Sequence, residues 1–179
     1  MPDPTYSQAW LEAYACAPTG QVIYTTLELW HPSFMVPTRL VNDNADLVAR
    51  IEAGAARDAG AIVTFVGYAF DIVPPEQTSD ALPQAVIEFD NNSKDITAAI
   101  DAAVVLDTPV TVIWQEYLSN NLNIGPENVP PLELTVTQIT ALTPRIRCVA
   151  GFPNLLDRPF PNIDYELETF PGRLHDGRT

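Results

Sequence analysis

The segment Gln21-Val-Ile-Tyr-Thr-Thr-Leu-Glu-Leu-Trp30 decides the fold class, because it is rich in β-branched and aromatic residues. Ile23, Thr25, Leu27 and Leu29 share one face of an extended chain, since side chains alternate between two faces along a strand. The pattern predicts a β-strand over this segment.

Seven further segments have extended patterns. The run 61–73 is predicted as one long strand in which Gly67 marks a bulge. The run 46–52 alternates apolar and polar residues but also has high helical propensity, and we favour a strand. The others are 38–42, 85–90, 110–118, 132–142 and 145–152.

Two helices are predicted. A short N-terminal helix spans Thr5 to Cys16, with Thr5 or Ser7 as the N-cap and Pro18 beyond its end. A longer helix over about 93–107 begins after Ser93 and carries one apolar stripe, so it packs on a sheet. The fold class is therefore mainly β: a sandwich or barrel with one packed α-helix and a short N-terminal helix.

Length and charge restrict the classes of protein. Residues 1–179 fit a single domain, and 46% hydrophobic residues are enough for a core. The formal net charge of −14 argues against specific nucleic-acid binding and against binding to anionic membranes, because both require clustered cations. No signal peptide or membrane-spanning run is predicted, so we expect no membrane insertion. A disulfide between Cys16 and Cys148 stays open.

The residues offer little for catalysis. His31 and His175 are the only histidines, and no glycine motif for phosphate binding occurs, so we expect no cofactor, no metal centre and no catalytic residue. Glu88 and Asp90 would share one strand face, as the paired acids of a glycan hydrolase do, although a solvated face gives the same pattern. The segment 43–46 offers calcium ligands but reads better as a turn.

A set of short motifs, taken in order, resembles a phage-related family of unknown function that is encoded in siphophage tail modules. The resemblance extends from about Tyr6 to Leu174 and depends on the order and spacing of the motifs. They are Leu27-Glu-Leu-Trp-His-Pro-Ser-Phe34, Arg39-Leu-Val-Asn-Asp43, Glu52-Ala-Gly-Ala-Ala56, Val63-Thr-Phe65, Phe89-Asp-Asn-Asn-Ser93, Arg158-Pro-Phe-Pro161 and Phe170-Pro-Gly172.

The resemblance implies a non-enzymatic virion structural protein of the distal tail or tail tip, similar to baseplate hub or distal tail ring proteins with a tail-tube-like β-sandwich. It would form a homo-oligomeric ring, most simply a hexamer, and contact other phage tail proteins. The protein would be located in the virion tail, which is assembled in the host cytoplasm. Two alternatives stay open: a virion-associated glycan hydrolase that uses Glu88 and Asp90, and a glycan-binding adhesin that exposes Trp30, Trp114 or tyrosines.

The C-terminal segment 157–179 is predicted as an extended arm, because its prolines fix φ and remove backbone donors. Such an arm either covers its own core or docks on a neighbouring subunit, and the resemblance favours the second reading. The predicted assembly residues are Asp157, Arg158, Phe160, Tyr165 and Phe170.

Overall fold

The computed structural model describes residues 6–75, 83–90, 109–141 and 145–152, and within these ranges one short helix accompanies nine strands. This confirms the predicted mainly-β class with an N-terminal helix. The elements are α1 Gln8–Cys16, β1 Ile23–Trp30, β2 Thr38–Val41, β3 Leu47–Arg50, β4 Ile62–Gly67, β5 Phe70–Val73, β6 Gln84–Asp90, β7 Thr111–Leu118, β8 Leu132–Ala141 and β9 Arg145–Gly151.

All nine strands join one mixed sheet, in the spatial order β3-β4-β2-β1-β7-β8-β9-β6-β5. Strands β2 and β4 pair in parallel, and every other pairing between these strands is antiparallel. Leu40 of β2 packs into the same core cluster as Phe70 of β5 and Phe89 of β6, although these strands lie near opposite ends of the order. The sheet must therefore curl around a shared interior.

The prediction of one continuous strand over 61–73 is wrong. The chain forms β4 and then β5, and only two residues separate them although they lie near opposite ends of the sheet. Tyr68 donates its backbone N–H to Val41 of β2 at 2.9 Å, whereas the carbonyl of Ala69 accepts from the N–H of Asp90 in β6 at 3.4 Å. The chain thus passes from one end of the curled sheet to the other within two residues.

Gly67 is the last residue of β4 and not a bulge. Its N–H donates to the Asp46 carboxylate at 2.9 Å. A Cβ at this position would lie 2.9 Å from the backbone oxygen of Asp43, which is closer than real Cβ atoms approach, and a crowded 3.1 Å from the backbone oxygen of Ala45. Gly67 is therefore required because the turn before β3 lies directly against the end of β4.

The interior contains two apolar clusters on different faces of the sheet. The main cluster fills the curl and includes Leu27 and Leu29 of β1, the residues predicted to share a face. The second lies between the β3–β4 hairpin and β7, where the Phe65 and Tyr117 rings meet at a centroid distance of 5.7 Å. It consists of Val41, Leu47, Ala49, Ile51, Phe65 and Tyr117. Strand β1 is consequently covered on both faces over its central residues.

Helix α1 is capped by Ser7, one of the two predicted N-caps, so it begins at Gln8 and not at the predicted Thr5. The Ser7 side chain accepts a hydrogen bond from the Trp10 backbone N–H at 3.1 Å, and Ala17 ends the helix in a left-handed conformation at φ 41°. The rings of Tyr6, Trp10 and Tyr14 stack at a spacing of four residues along this segment. The Ser7 hydroxyl also donates to the Glu127 carboxylate, which fixes the start of α1 against the loop after β7.

Two predicted segments cannot be compared with the structure. The helix at 93–107 and the arm at 157–179 lie outside the described residues, and so does most of the loop before β6. In the part of the chain that is described, no helix has both the length and the apolar content needed to cross a membrane.

Candidate functional site

A buried charge network lies on the face of β1 opposite the main core. Glu28 is 3% exposed, and its carboxylate accepts hydrogen bonds from Arg39 Nε at 2.9 Å and from Arg57 Nε at 3.4 Å. Arg39 also donates through Nη2 to Asp58. Burial alone lowers the pKa of Arg39, but its hydrogen bonds to Asp58 and Glu28 outweigh burial and raise it. The two guanidinium groups balance the two carboxylates within this network.

The local structure explains why these groups meet. Glu28 and Arg39 are direct cross-strand partners in the antiparallel β1–β2 pair, so their side chains lie on the same face. After β3 the chain turns back, with hydrogen bonds from Gly60 N–H to the Glu52 carbonyl at 3.2 Å and from Ile51 N–H to Ala61 at 2.9 Å. This turn carries Arg57 over the Trp30 ring, at 4.3 Å from its centroid.

A separate set of hydrogen bonds lies beside this network, around Gln115 and Tyr117 of β7. Gln115, which is 2% exposed, donates through Nε2 to Glu52 Oε2 at 2.9 Å. The Tyr117 hydroxyl donates to the Arg50 carbonyl or to Gln115 Oε1, which lie at 3.1 and 3.2 Å. Burial, and to a smaller extent the charge of Glu28, raises the pKa of Glu52. Burial also raises the pKa of Tyr117, with the Glu52 and Glu28 carboxylates adding to the effect.

Glu28, Glu52, Arg57 and Gln115 line a cavity of about 230 Å³ between β1, β7 and the turn after β3. Its volume is smaller than the roughly 300–1,000 Å³ of sites for drug-sized ligands. Its polar wall consists of Glu28, Glu52, Arg57, Gln115 and Glu133. The remaining wall is apolar and includes Ile51, Ala55, Ile113, Pro130 and Pro131.

The residues of this site do not stand out in the sequence. Glu28 and Arg57 are far apart in the chain, and a single glutamate in a strand is typical of a solvated face. One signal was available: placing Leu27 opposite Leu40 in a β1–β2 pair also places Glu28 opposite Arg39. The register therefore predicts the pair, although not its burial.

A second buried carboxylate lies under helix α1. Glu116 is 7% exposed, and neither its Oε2 nor Trp10 Nε1 has a hydrogen-bond partner among the described residues. Its backbone is held by Asn128 Oδ1, which accepts from the Glu116 N–H at 3.0 Å. Burial raises the pKa of Glu116 to about 7, and the nearby Trp10 indole opposes only part of that increase.

The raised pKa of Glu116 predicts a pH-dependent stability. Folded protein retains a proton that unfolded protein releases above the ordinary pKa of 4.5. The free energy of unfolding should therefore fall by roughly 3 kcal/mol between about pH 4.5 and 7 and then level off, as far as this group is concerned. Urea unfolding of the wild type and of Glu116→Gln at pH 5 and pH 7.5 measures the effect.

The Glu116→Gln variant should lose most of this pH dependence, because its side chain does not ionise. The exposed Glu12 on α1 provides the matched control. Glu12→Gln should retain the wild-type dependence of the free energy of unfolding on pH. Equal slopes in the wild type and Glu116→Gln would contradict the assignment of the raised pKa to this residue.

The carboxylate pair proposed for a hydrolase is engaged in an ion-pair cluster. Glu88 and Asp90 do share a face of β6, and both approach Arg145 of β9, at 3.2 and 3.6 Å. The guanidinium lies between two partly exposed carboxylates, an arrangement typical of a solvated sheet surface.

The other singled-out residues have structural partners. The carboxylates of Asp43 and Asp46 accept from the backbone N–H groups of Asn44 and Gly67, at 2.6 and 2.9 Å, as expected for a turn. No group of three or more His, Cys, Asp or Glu side chains that could hold a metal ion occurs in the described ranges. His31 is fully buried and its Nδ1 accepts from the Ser33 N–H at 3.1 Å.

The remaining candidates are placed as follows. Trp114 is 8% exposed within the main core, so it offers no open stacking surface to a glycan, and one face of Trp30 is occupied by Arg57.

Cys16 is exposed and Cys148 is buried, and both are free thiols. The predicted assembly residues Asp157, Arg158, Phe160, Tyr165 and Phe170 all lie outside the described residues.

The chain was compared with models of known protein families. The model of a family described as a domain of unknown function, DUF1833, matches residues 9–165. No curated protein matches the chain. The matched region includes all of α1 except its first residue, all nine strands, the buried charge network and the cavity. Since the match covers most of the sequence, the chain belongs to the DUF1833 family.

Proposed function

We propose that this chain is a non-enzymatic structural subunit of a phage tail tip, where it forms or joins a ring around the tail channel. The observation that carries the proposal is the ordered set of motifs from Leu27 to Gly172 that resembles proteins encoded in siphophage tail modules. A mainly-β domain in which the Glu88 and Asp90 carboxylates are held in an ion-pair cluster with Arg145 is compatible with a structural role. A fold alone does not determine function, so the proposal rests mainly on the sequence motifs.

Closed rings suit such a subunit because heterologous contacts between identical copies are all satisfied when the ring closes. A hexamer or a ring with three-fold pseudo-symmetry is the expected form, in contact with other tail proteins. The net charge of −14 fits a subunit near the DNA path, because like charge opposes adhesion of phosphates. In this proposal the protein is assembled in the host cytoplasm and retained in the virion tail.

The proposal assigns the C-terminal arm to contacts between subunits, with Phe160 and Phe170 as anchors. Burial of each aromatic side chain at such a contact contributes roughly 1.5–3 kcal/mol. The double variant Phe160→Ala with Phe170→Ala should therefore fold with a nearly unchanged melting temperature of the monomer but fail to support tail assembly. Complementation of a phage lacking the gene, scored by titre and by electron microscopy of tails, measures the result.

The matched control is Phe152→Ala, which removes a half-exposed phenylalanine just outside the arm and should leave the titre near normal. An unfolded or strongly destabilised double variant would show that the arm covers its own core. Normal tails from a folded double variant would show that these residues do not form the assembly contact.

A further inference from the structure

The cavity beside the buried charge network has a charge imbalance at its wall. Glu28 and Asp58 are balanced by Arg39 and Arg57. Two additional carboxylates, Glu52 and Glu133, line the cavity or its rim and lie outside this balance. Neither forms an ion pair with any described residue, which leaves the cavity with an excess of negative charge that favours a cationic group.

The lining of the cavity also suits an alkyl chain that ends in a cation. The side chains of Ile51, Ala55 and Ile113 and the two prolines provide an apolar wall, which long basic side chains cover with their methylene groups. Gln115 is almost fully buried and holds Glu52 in place by its hydrogen bond at 2.9 Å. A carboxylate fixed in this way needs no reorganisation to accept a donor.

Arg57 also lines the cavity, and its positive charge would repel a second cation if it were free. Its Nε donates to Glu28 at 3.4 Å, and its guanidinium stacks on the Trp30 ring. Glu28 is nearly fully buried, so screening of that pair by solvent is weak. Glu52 and Glu133 are therefore the lining carboxylates that lack an ion-pair partner among the described residues.

We propose that this cavity is a binding site for the guanidinium group of an arginine side chain carried by another protein subunit, with Glu52 and Glu133 as its acceptors. A planar guanidinium presents donors in two directions and bridges two carboxylates, which a compact ammonium does less well. The cavity volume of about 230 Å³ is large enough for one side chain.

The test uses the full chain and a small probe, N-acetyl-arginine amide, titrated into isotope-labelled protein by NMR. The Gln115 side-chain amide reports on the cavity because it bonds directly to Glu52. We expect saturable shifts at Gln115 and Ala55. Binding of N-acetyl-citrulline amide, which has nearly the same shape without the charge, should be weaker by about tenfold or more, since one charge-assisted hydrogen bond is worth at least that factor.

Glu52→Gln and Glu133→Gln should each weaken the arginine probe by about tenfold, and Glu88→Gln, a carboxylate outside the cavity, should not. Glu133 is exposed, so Glu133→Gln should fold normally. This variant therefore tests the proposal even if Glu52→Gln impairs folding. Absence of saturable shifts at Gln115, equal binding of the citrulline probe, or unchanged binding in Glu133→Gln would overturn the proposal. Equal binding of N-acetyl-lysine amide would overturn the preference for guanidinium. The experiment involves no virion, so its failure is distinct from failure of the proposed tail role.

Discussion

Replacing Glu28 with alanine is expected to lower the free energy of unfolding by about 3–5 kcal/mol, which is the usual cost of removing one partner from a buried ion pair. The Arg39 side chain is 9% exposed and would keep only Asp58, whereas Arg57 would lose its only carboxylate partner within the described residues. A buried guanidinium without full compensation is costly because it can neither release its proton nor reach water. Urea unfolding followed by circular dichroism measures the loss.

The matched control is Glu88→Ala, which removes a carboxylate from an ion pair with the 58%-exposed Arg145. Exposed pairs contribute about 0–1 kcal/mol, so this variant should unfold nearly as the wild type does. If Glu28→Ala proves no more destabilising than Glu88→Ala, the buried network does not hold the β1–β2 pair and the turn after β3 together.

Replacing Phe65 with alanine is also expected to cost about 3–5 kcal/mol, because it leaves a cavity in the second apolar cluster. Phe65 is fully buried and packs against the Tyr117 ring, whose hydroxyl reaches the Arg50 carbonyl. Loss of this contact should loosen the β3–β4 hairpin from β7. Urea unfolding measures the stability, and the NMR signal of the Gln115 side chain reports whether the adjacent cavity is preserved.

Val66→Ala is the control for Phe65→Ala. Val66 is the next residue of β4 and is 51% exposed, so its truncation should change stability by no more than about 0.5 kcal/mol. Similar losses in the two variants would mean that the second cluster is not part of the cooperative core.

Much of the fold could be predicted from local patterns. The strand signal at 21–30 corresponds to β1, and the alternation at 46–52 contains β3, for which a helix had been the alternative. The Ser7 cap and the end of α1 before Pro18 also follow from sequence, because capping depends on neighbouring backbone groups. In each of these elements the deciding interactions are local or repeat at a simple period.

The break between β4 and β5 could not be predicted in this way. The run 61–73 is rich in β-branched and aromatic residues throughout, so local propensity continues across Gly67. The strand ends there because Tyr68 bonds to β2 and Ala69 bonds to β6, which are distant in sequence. A glycine in a strand indicates either a bulge or a close approach of another backbone segment, and only the tertiary structure distinguishes the two.

The candidate site was missed for a related reason. Glu28, Glu52 and Gln115 are each unremarkable in their own segments, and their chemistry depends on burial that the curled sheet and the turn after β3 create. The pair that the sequence did suggest, Glu88 and Asp90, is partly exposed and bound to Arg145. Burial of charge is a property of topology and cannot be derived from residue type alone.

The most direct measurement of the proposed role is the position of the subunit in assembled virions. Particles should be produced from the genome that encodes this chain, with an affinity label on the subunit, and imaged by negative-stain electron microscopy after binding of gold to the label. The proposal predicts several gold particles at the distal end of the tail, and class averages of isolated tips with a closed ring of six-fold or three-fold symmetry. Unlabelled virions, or a single peripheral copy without a ring, would contradict it.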